Sequence, residues 1–166
     1  MNTSVSTNTT SRTHVVAYLT DKMLRYLGNI IRDSGLSMDT FSEIRPVYDR
    51  GIKTWLDSGH LEKVVLEVFS RVTNQLIKRW DFELFSDGAG GLEFWFNPDE
   101  IRYHLLKSGN VPASCRYAII IINKDGRPDV AGFSPCSLRD TGALRQFSLG
   151  TTITARNSGT RTHYWK

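Results

Sequence analysis

Residues 114–123 read Ser-Cys-Arg-Tyr-Ala-Ile-Ile-Ile-Ile-Asn, so that Tyr117, Ile119 and Ile121 alternate with Ala118, Ile120 and Ile122. A strand that is apolar on both faces needs cover on both faces. No other feature constrains the fold as much. It predicts a central strand, with helices packed on one side of its sheet and another part of the chain on the other. The unbroken apolar run, 118–122, falls far short of the ~20 residues of a membrane-spanning helix.

The rest of the chain supplies those layers. Between 76 and 85, Leu76, Trp80, Phe82 and Leu84 share one face while Arg79, Asp81 and Glu83 share the other, the period of a half-buried strand. Residues 63–70 place Val64, Leu66 and Val68 on one face, and Asn74 marks the turn between the two strands. Upstream, Thr20 reads as an N-cap with Asp21 in the first turn, followed by a helical stripe of Met23, Leu24, Leu27, Ile30 and Ile31 that ends at Gly35. A second stripe, Ile44, Val47, Tyr48, Ile52, Trp55 and Leu56, predicts a helix from near Arg45, because Pro46 suits a first turn, to Gly59. Asp87-Gly88-Ala89-Gly90-Gly91 reads as a hairpin loop before a short aromatic strand at 92–96. Asn97-Pro98-Asp99-Glu100 opens a third helix that turns Ile101, His104 and Leu105 inward and stops at Gly109.

Two segments stand apart. Of residues 3–13, eight of eleven are Ser or Thr, which cannot bury enough surface to offset ordering, so 1–13 is expected to be a flexible arm. Residues 124–166 contain 17 Gly, Pro, Ser or Thr and only broken apolar periodicity. So long a stretch without clear elements is expected to lie across the core rather than build it, and to be functional or mobile.

The chemistry of catalysis is missing. With 166 residues the chain is one domain's worth. Cys115 and Cys136 read as free thiols of a cytoplasmic protein, since the first 14 residues are polar and contain no secretory apolar segment. His14, His60, His104 and His163 make no metal-ligand spacing with each other or with the cysteines, and no cofactor or metal is expected. The glycine loop lacks the lysine and serine of a phosphate-binding loop, and no nucleophile motif occurs. The net charge of +4 lies wholly in 124–166, which holds seven Lys or Arg and three Asp, whereas 1–123 holds 14 basic and 14 acidic residues. That asymmetry keeps a basic nucleic-acid-binding module open as an alternative. A small hydrolase with an unrecognised site is a third possibility. A sheet edge beside a mobile C-terminal segment suggests another function, trapping an extended peptide as an added strand.

The ordered set of elements, together with the stretches Ser11-Arg12-Thr13-His14, Thr20-Asp21-Lys22-Met23, Arg50-Gly51-Ile52-Lys53-Thr54-Trp55-Leu56, Leu61-Glu62-Lys63-Val64-Val65-Leu66-Glu67, Gly126-Arg127-Pro128-Asp129-Val130 and Ser148-Leu149-Gly150-Thr151-Thr152, resembles the bacterial HORMA proteins of CBASS anti-phage operons. The resemblance implies an α+β HORMA fold: a central, mostly antiparallel sheet, about three helices on one face, and a C-terminal safety belt. In chain terms it implies a flexible arm at 1–13, a HORMA core at 14–123 and a belt region at 124–166. It further implies a non-enzymatic adaptor that switches between open and closed states. The closed form would hold a closure-motif peptide under the belt and activate a cyclic-oligonucleotide synthase (CD-NTase). An AAA+ remodeler would open it again by engaging the N-terminal region. On this view the peptide would lie against Tyr117, Ile119 and Ile121 of the strand and Val130, Phe133 and Leu149 of the belt, and the remodeler would engage Ser11, Arg12 and Thr13.

Overall fold

The computed structural model describes residues 3–86, 94–96, 98–142, 144–155 and 158–166, and of 3–12, 86, 94–96, 98 and 154–155 the backbone alone. In chain order the elements are α1 (Thr3–Asp33), α2 (Met38–Asp57), β1 (Leu61–Ser70), β2 (Leu76–Ser86), β3 (Phe94–Phe96), α3 (Pro98–Ser108), β4 (Cys115–Asn123), β5 (Gln146–Ala155) and β6 (Ser158–Trp165). The strands form one antiparallel sheet in the order β3-β5-β6-β2-β1-β4. All three helices contribute to a single apolar core against one face of it, as the α+β reading expects. The expected loop at 87–91 lies outside the described residues.

The predicted stripe of α1 is its buried face: Met23, Leu24, Leu27, Ile30 and Ile31 are at most 1% exposed. Tyr26 stacks on Phe82 of β2 at 5.7 Å and donates its hydroxyl to the Thr152 carbonyl of β5 at 2.8 Å, tying the helix to the far half of the sheet. Gly35, at φ 80°, closes the helix, with Leu36 N–H on Ile31 O and Gly35 N–H on Arg32 O. The start differs from the expectation. Thr20 is no cap; its hydroxyl donates to Val16 O inside the helix. Helix continues back to Thr3, through most of the segment expected to be a flexible arm. Extending an existing helix avoids the nucleation cost that makes short isolated helices unstable.

α2 also starts earlier than predicted. Ser37 caps it by accepting the Asp39 N–H, and Pro46 lies inside the helix, where its missing donor falls on an exposed side. The extra turns bury Phe41 against α1 at Gly28, where a side chain's Cβ would stand 3.1 Å from the Phe41 ring.

Two further expectations are overturned. β4 is an edge strand, not a central one: it pairs with β1, from Leu61↔Asn123 to Ser70↔Cys115, and ends the strand order. Both of its faces are wholly or partly buried from Tyr117 to Asn123, and the chain that follows it places Arg139 on Glu67 of β1, on the face away from the helices. And residues 146–165 do not lie across the core. They build it, as a hairpin whose β6 pairs with β2 from Arg79↔Trp165 to Ser86↔Ser158. Reciprocal bonds between Arg145 and Lys166 close the hairpin's open end. Its inward side chains include Thr152, Thr160 and Thr162, all fully buried, with Thr152 Oγ1 2.7 Å from Thr162 Oγ1. Threonine is a good strand former and these hydroxyls satisfy one another, but a hydropathy pattern scores the positions as polar. Among the described residues of this part of the chain, 124–142 and 144–145 remain irregular.

Candidate functional site: the β4 edge and the segment crossing it

An antiparallel ladder turns alternate residues toward and away from the partner strand. Arg71 N–H bonds Ser114 O at 3.2 Å, and the register Phe69↔Arg116, Glu67↔Ala118, Val65↔Ile120 continues that phase. The backbone groups of Arg116, Ala118, Ile120 and Ile122 therefore face β1. Those of Tyr117, Ile119 and Ile121 face outward, along the free edge. The Ile119 carbonyl shows the phase directly, since it accepts the Tyr48 hydroxyl from α2 at 2.7 Å.

Residues 124–145 pass over this edge and are fixed on both sides of the sheet. On the helix side, Trp55 Nε1 donates to Pro128 O at 2.7 Å and Arg50 Nη2 to Ala131 O at 2.8 Å. Phe133 meets Tyr48 and Trp55 edge-on, with centroids 5.2 and 4.8 Å away. The ring lies so close to α2 that a Cβ at Gly51 would stand 2.6 Å from it. Gly132, at φ +97°, brings the chain against Val47. Only glycine serves at either position.

Six residues on, the chain has reached the opposite face. Arg139 donates its backbone N–H and its Nη1 to the two carboxylate oxygens of Glu67, each at 2.7 Å. Its Nη2 reaches Asn74 Oδ1 at 3.0 Å, and its guanidinium lies 3.5 Å from the Phe69 ring centre. The Glu67 side chain is fully buried. Between Phe133 and Arg139 the chain thus rounds the β4 edge from one face to the other.

The opposite face of the sheet holds a second charged group. Arg79 grips Asp81 with two bonds of 2.6 Å, with His163 Nε2 at 3.1 Å and Lys63 Nζ at 3.4 Å. Burial opposes the charge on Asp81, but these partners outweigh it and hold the carboxyl well below the usual range. Through His163 the group also fastens β6 to β2. Tyr48 goes the other way: burial, with Cys136 of the crossing segment nearby, raises its hydroxyl to about 12. Among the described residues no three His, Cys, Asp or Glu side chains are placed to hold a metal ion, and no helix is long and apolar enough to cross a membrane.

Of the residues singled out from sequence, Tyr117, Ile119, Ile121, Val130 and Phe133 come together around α2 and β4. Their side chains serve the core: Tyr117 donates to Ser37 O at 2.7 Å, and Ile119 is 6% exposed. What the strand offers outward is backbone. Leu149 is not at this site. It lies on β5, with β6, β2 and β1 between it and β4. Ser11, Arg12 and Thr13 fall within α1. Sequence reasoning missed Tyr48, Glu67 and Arg139. A lone carboxylate in the apolar run 64–69 was the available signal, because a buried charge requires a partner.

Comparison with known proteins gives the same architecture. The mitotic checkpoint complex contains a chain with TM-score 0.65 and 11% identity, aligned over 88% of this chain and 97% of that one. C. elegans HTP-2, solved bound to the HIM-3 closure motif, has TM-score 0.65 and 10% identity over 91% of this chain and 86% of that one. The E. coli MS115-1 CdnC:HORMA-deltaN complex has TM-score 0.62 and 13% identity over 91% and 86%. No curated protein matches. A family model described as Bacterial HORMA domain 2 matches residues 2–166, and the chain belongs to that family.

Proposed function

We propose that the chain is a signalling adaptor without catalysis of its own, which captures an extended closure-motif peptide as an added strand on β4 and in that form binds and activates a cyclic-oligonucleotide synthase in anti-phage defence. One observation carries the reading: the outward backbone groups of Tyr117, Ile119 and Ile121 line an edge beneath a segment anchored on both faces of the sheet. Strand addition uses main-chain bonds that any extended peptide offers, and a segment crossing over it slows escape. The β5–β6 hairpin pairs with β2 and so leaves β4 free, the arrangement capture needs. The closure motif on HTP-2 and the CdnC partner of the E. coli protein support the two halves of the proposal.

An AAA+ remodeler would open the closed form through residues 1–13. Ser and Thr are weaker helix formers than Ala or Leu, so this end of α1 costs least to unwind. The basic excess of 124–166 needs no nucleic acid to explain it. Arg127 covers Trp55, Arg139 binds Glu67 and Arg161 covers Phe85, so three of the seven cations already have protein partners.

The test is cyclic-oligonucleotide output from the synthase of the same operon, with the full chain, without it, and with an Arg139→Met variant. A rise with the full chain that falls with the variant is the expected result. An unchanged output, with the two proteins failing to co-elute, overturns the activator reading.

A further inference from the structure

The free edge of β4 is not uniformly free. Along its middle Tyr117, Ile119 and Ile121 present outward backbone groups, and the central carbonyl, that of Ile119, already accepts a bond from Tyr48. Tyr48 reaches it from α2, from the side on which the crossing segment is anchored, with its ring edge-on to Phe133 at 5.2 Å. Its hydroxyl therefore occupies one of the two acceptor sites of the carbonyl that an incoming strand would use. A strand laid along this edge needs the Ile119 carbonyl as an acceptor, because ladder bonds recur at alternate residues and skipping the middle one leaves a peptide N–H unpaired.

Resting on the peptide-capture reading, we infer that Tyr48 is a displaceable plug: its hydroxyl holds the Ile119 carbonyl while the edge is empty and yields it to a backbone N–H of the captured peptide. The hydroxyl remains a neutral donor throughout the physiological range, so the plug does not depend on pH. Its release is felt by the crossing segment, since the ring that moves is the one touching Phe133, which in turn rests on Trp55. A specificity rule follows. Displacement needs an N–H on the peptide residue opposite Ile119, so with proline there the Tyr48 hydroxyl keeps the carbonyl.

The probe is a 12-residue peptide selected from a random displayed library against the full chain, chosen because it protects the Tyr117, Ile119 and Ile121 amides from hydrogen exchange. Its affinity is measured by fluorescence anisotropy for the wild type and for Tyr48→Phe, which keeps the ring on Phe133 and removes the hydroxyl. The expected result is binding about fivefold tighter to Tyr48→Phe, the loss of one competing hydrogen bond. A proline scan should show a single position, opposite Ile119, where substitution removes the gain. Equal or weaker binding by Tyr48→Phe, with the three amides still protected, overturns the plug and leaves peptide capture intact. Failure of every selected peptide to protect those amides overturns capture itself, and the plug with it.

Discussion

The crossing segment is held at two places that differ in kind. At the helix side the anchor is a ring in a notch, Phe133 against Gly51, Tyr48 and Trp55. At the opposite face it is an ion pair, Arg139 on the fully buried carboxylate of Glu67. The first is apolar, so salt leaves it nearly untouched and its strength follows the area buried. The second matters through the charge that would be stranded if one partner were lost.

The largest effect is expected from Arg139→Met. It leaves Glu67 buried without its cation and costs the folded chain about 3 kcal/mol in urea titration. Adding Glu67→Gln should recover more than half of that loss, and additive losses in the double variant would show that the two side chains do not act as a pair. Phe133→Ala comes next, at about 2 kcal/mol, below the range for a fully buried ring because this one is only partly buried.

A smaller change is expected from acid, and it concerns the other charged group on the Arg139 face. The Asp81 carboxyl titrates lower in the folded chain than its unfolded value of ~3.9. Its contribution to stability is therefore complete above about pH 4 and is lost as pH falls from there toward the folded value. Asp81→Asn should flatten that part of the stability–pH curve, and an unchanged curve would show that Asp81 is not the group responsible. The smallest effect on folding is expected from deleting residues 1–13, which leaves both anchors in place. The melting temperature should barely move, while opening by an AAA+ remodeler, on the proposed function, should stop. Equal opening of the shortened chain would remove these residues from that role.

Much of this was legible in the chain and some was not, for reasons visible at particular residues. The α1 stripe, the β1–β2 alternation and the acidic start of α3 were readable because each is a local period matched to a local geometry. The β5–β6 hairpin was hidden because Thr152, Thr160 and Thr162 carry strand preference without hydropathy. At the site, the choice of Tyr117, Ile119 and Ile121 coincides with the outward phase of β4, whereas Leu149, assigned with the belt region 124–166, lies on β5 in the other half of the sheet. Glu67 announced a missing partner, but nothing near it named Arg139, 72 residues away.

The amino-acid sequence by itself determined the periodic parts of α1, α2, β1, β2 and α3 and the face each buries, though not where α1 and α2 begin, since side-chain period is a property of the segment alone. The tertiary structure decided that β4 ends the sheet, that the last hairpin pairs with β2, and that residues 124–145 round the free edge from Phe133 to Arg139. Strand order has no local signature: every strand offers the same backbone donors and acceptors, and which edge stays open depends on where distant segments find their partners.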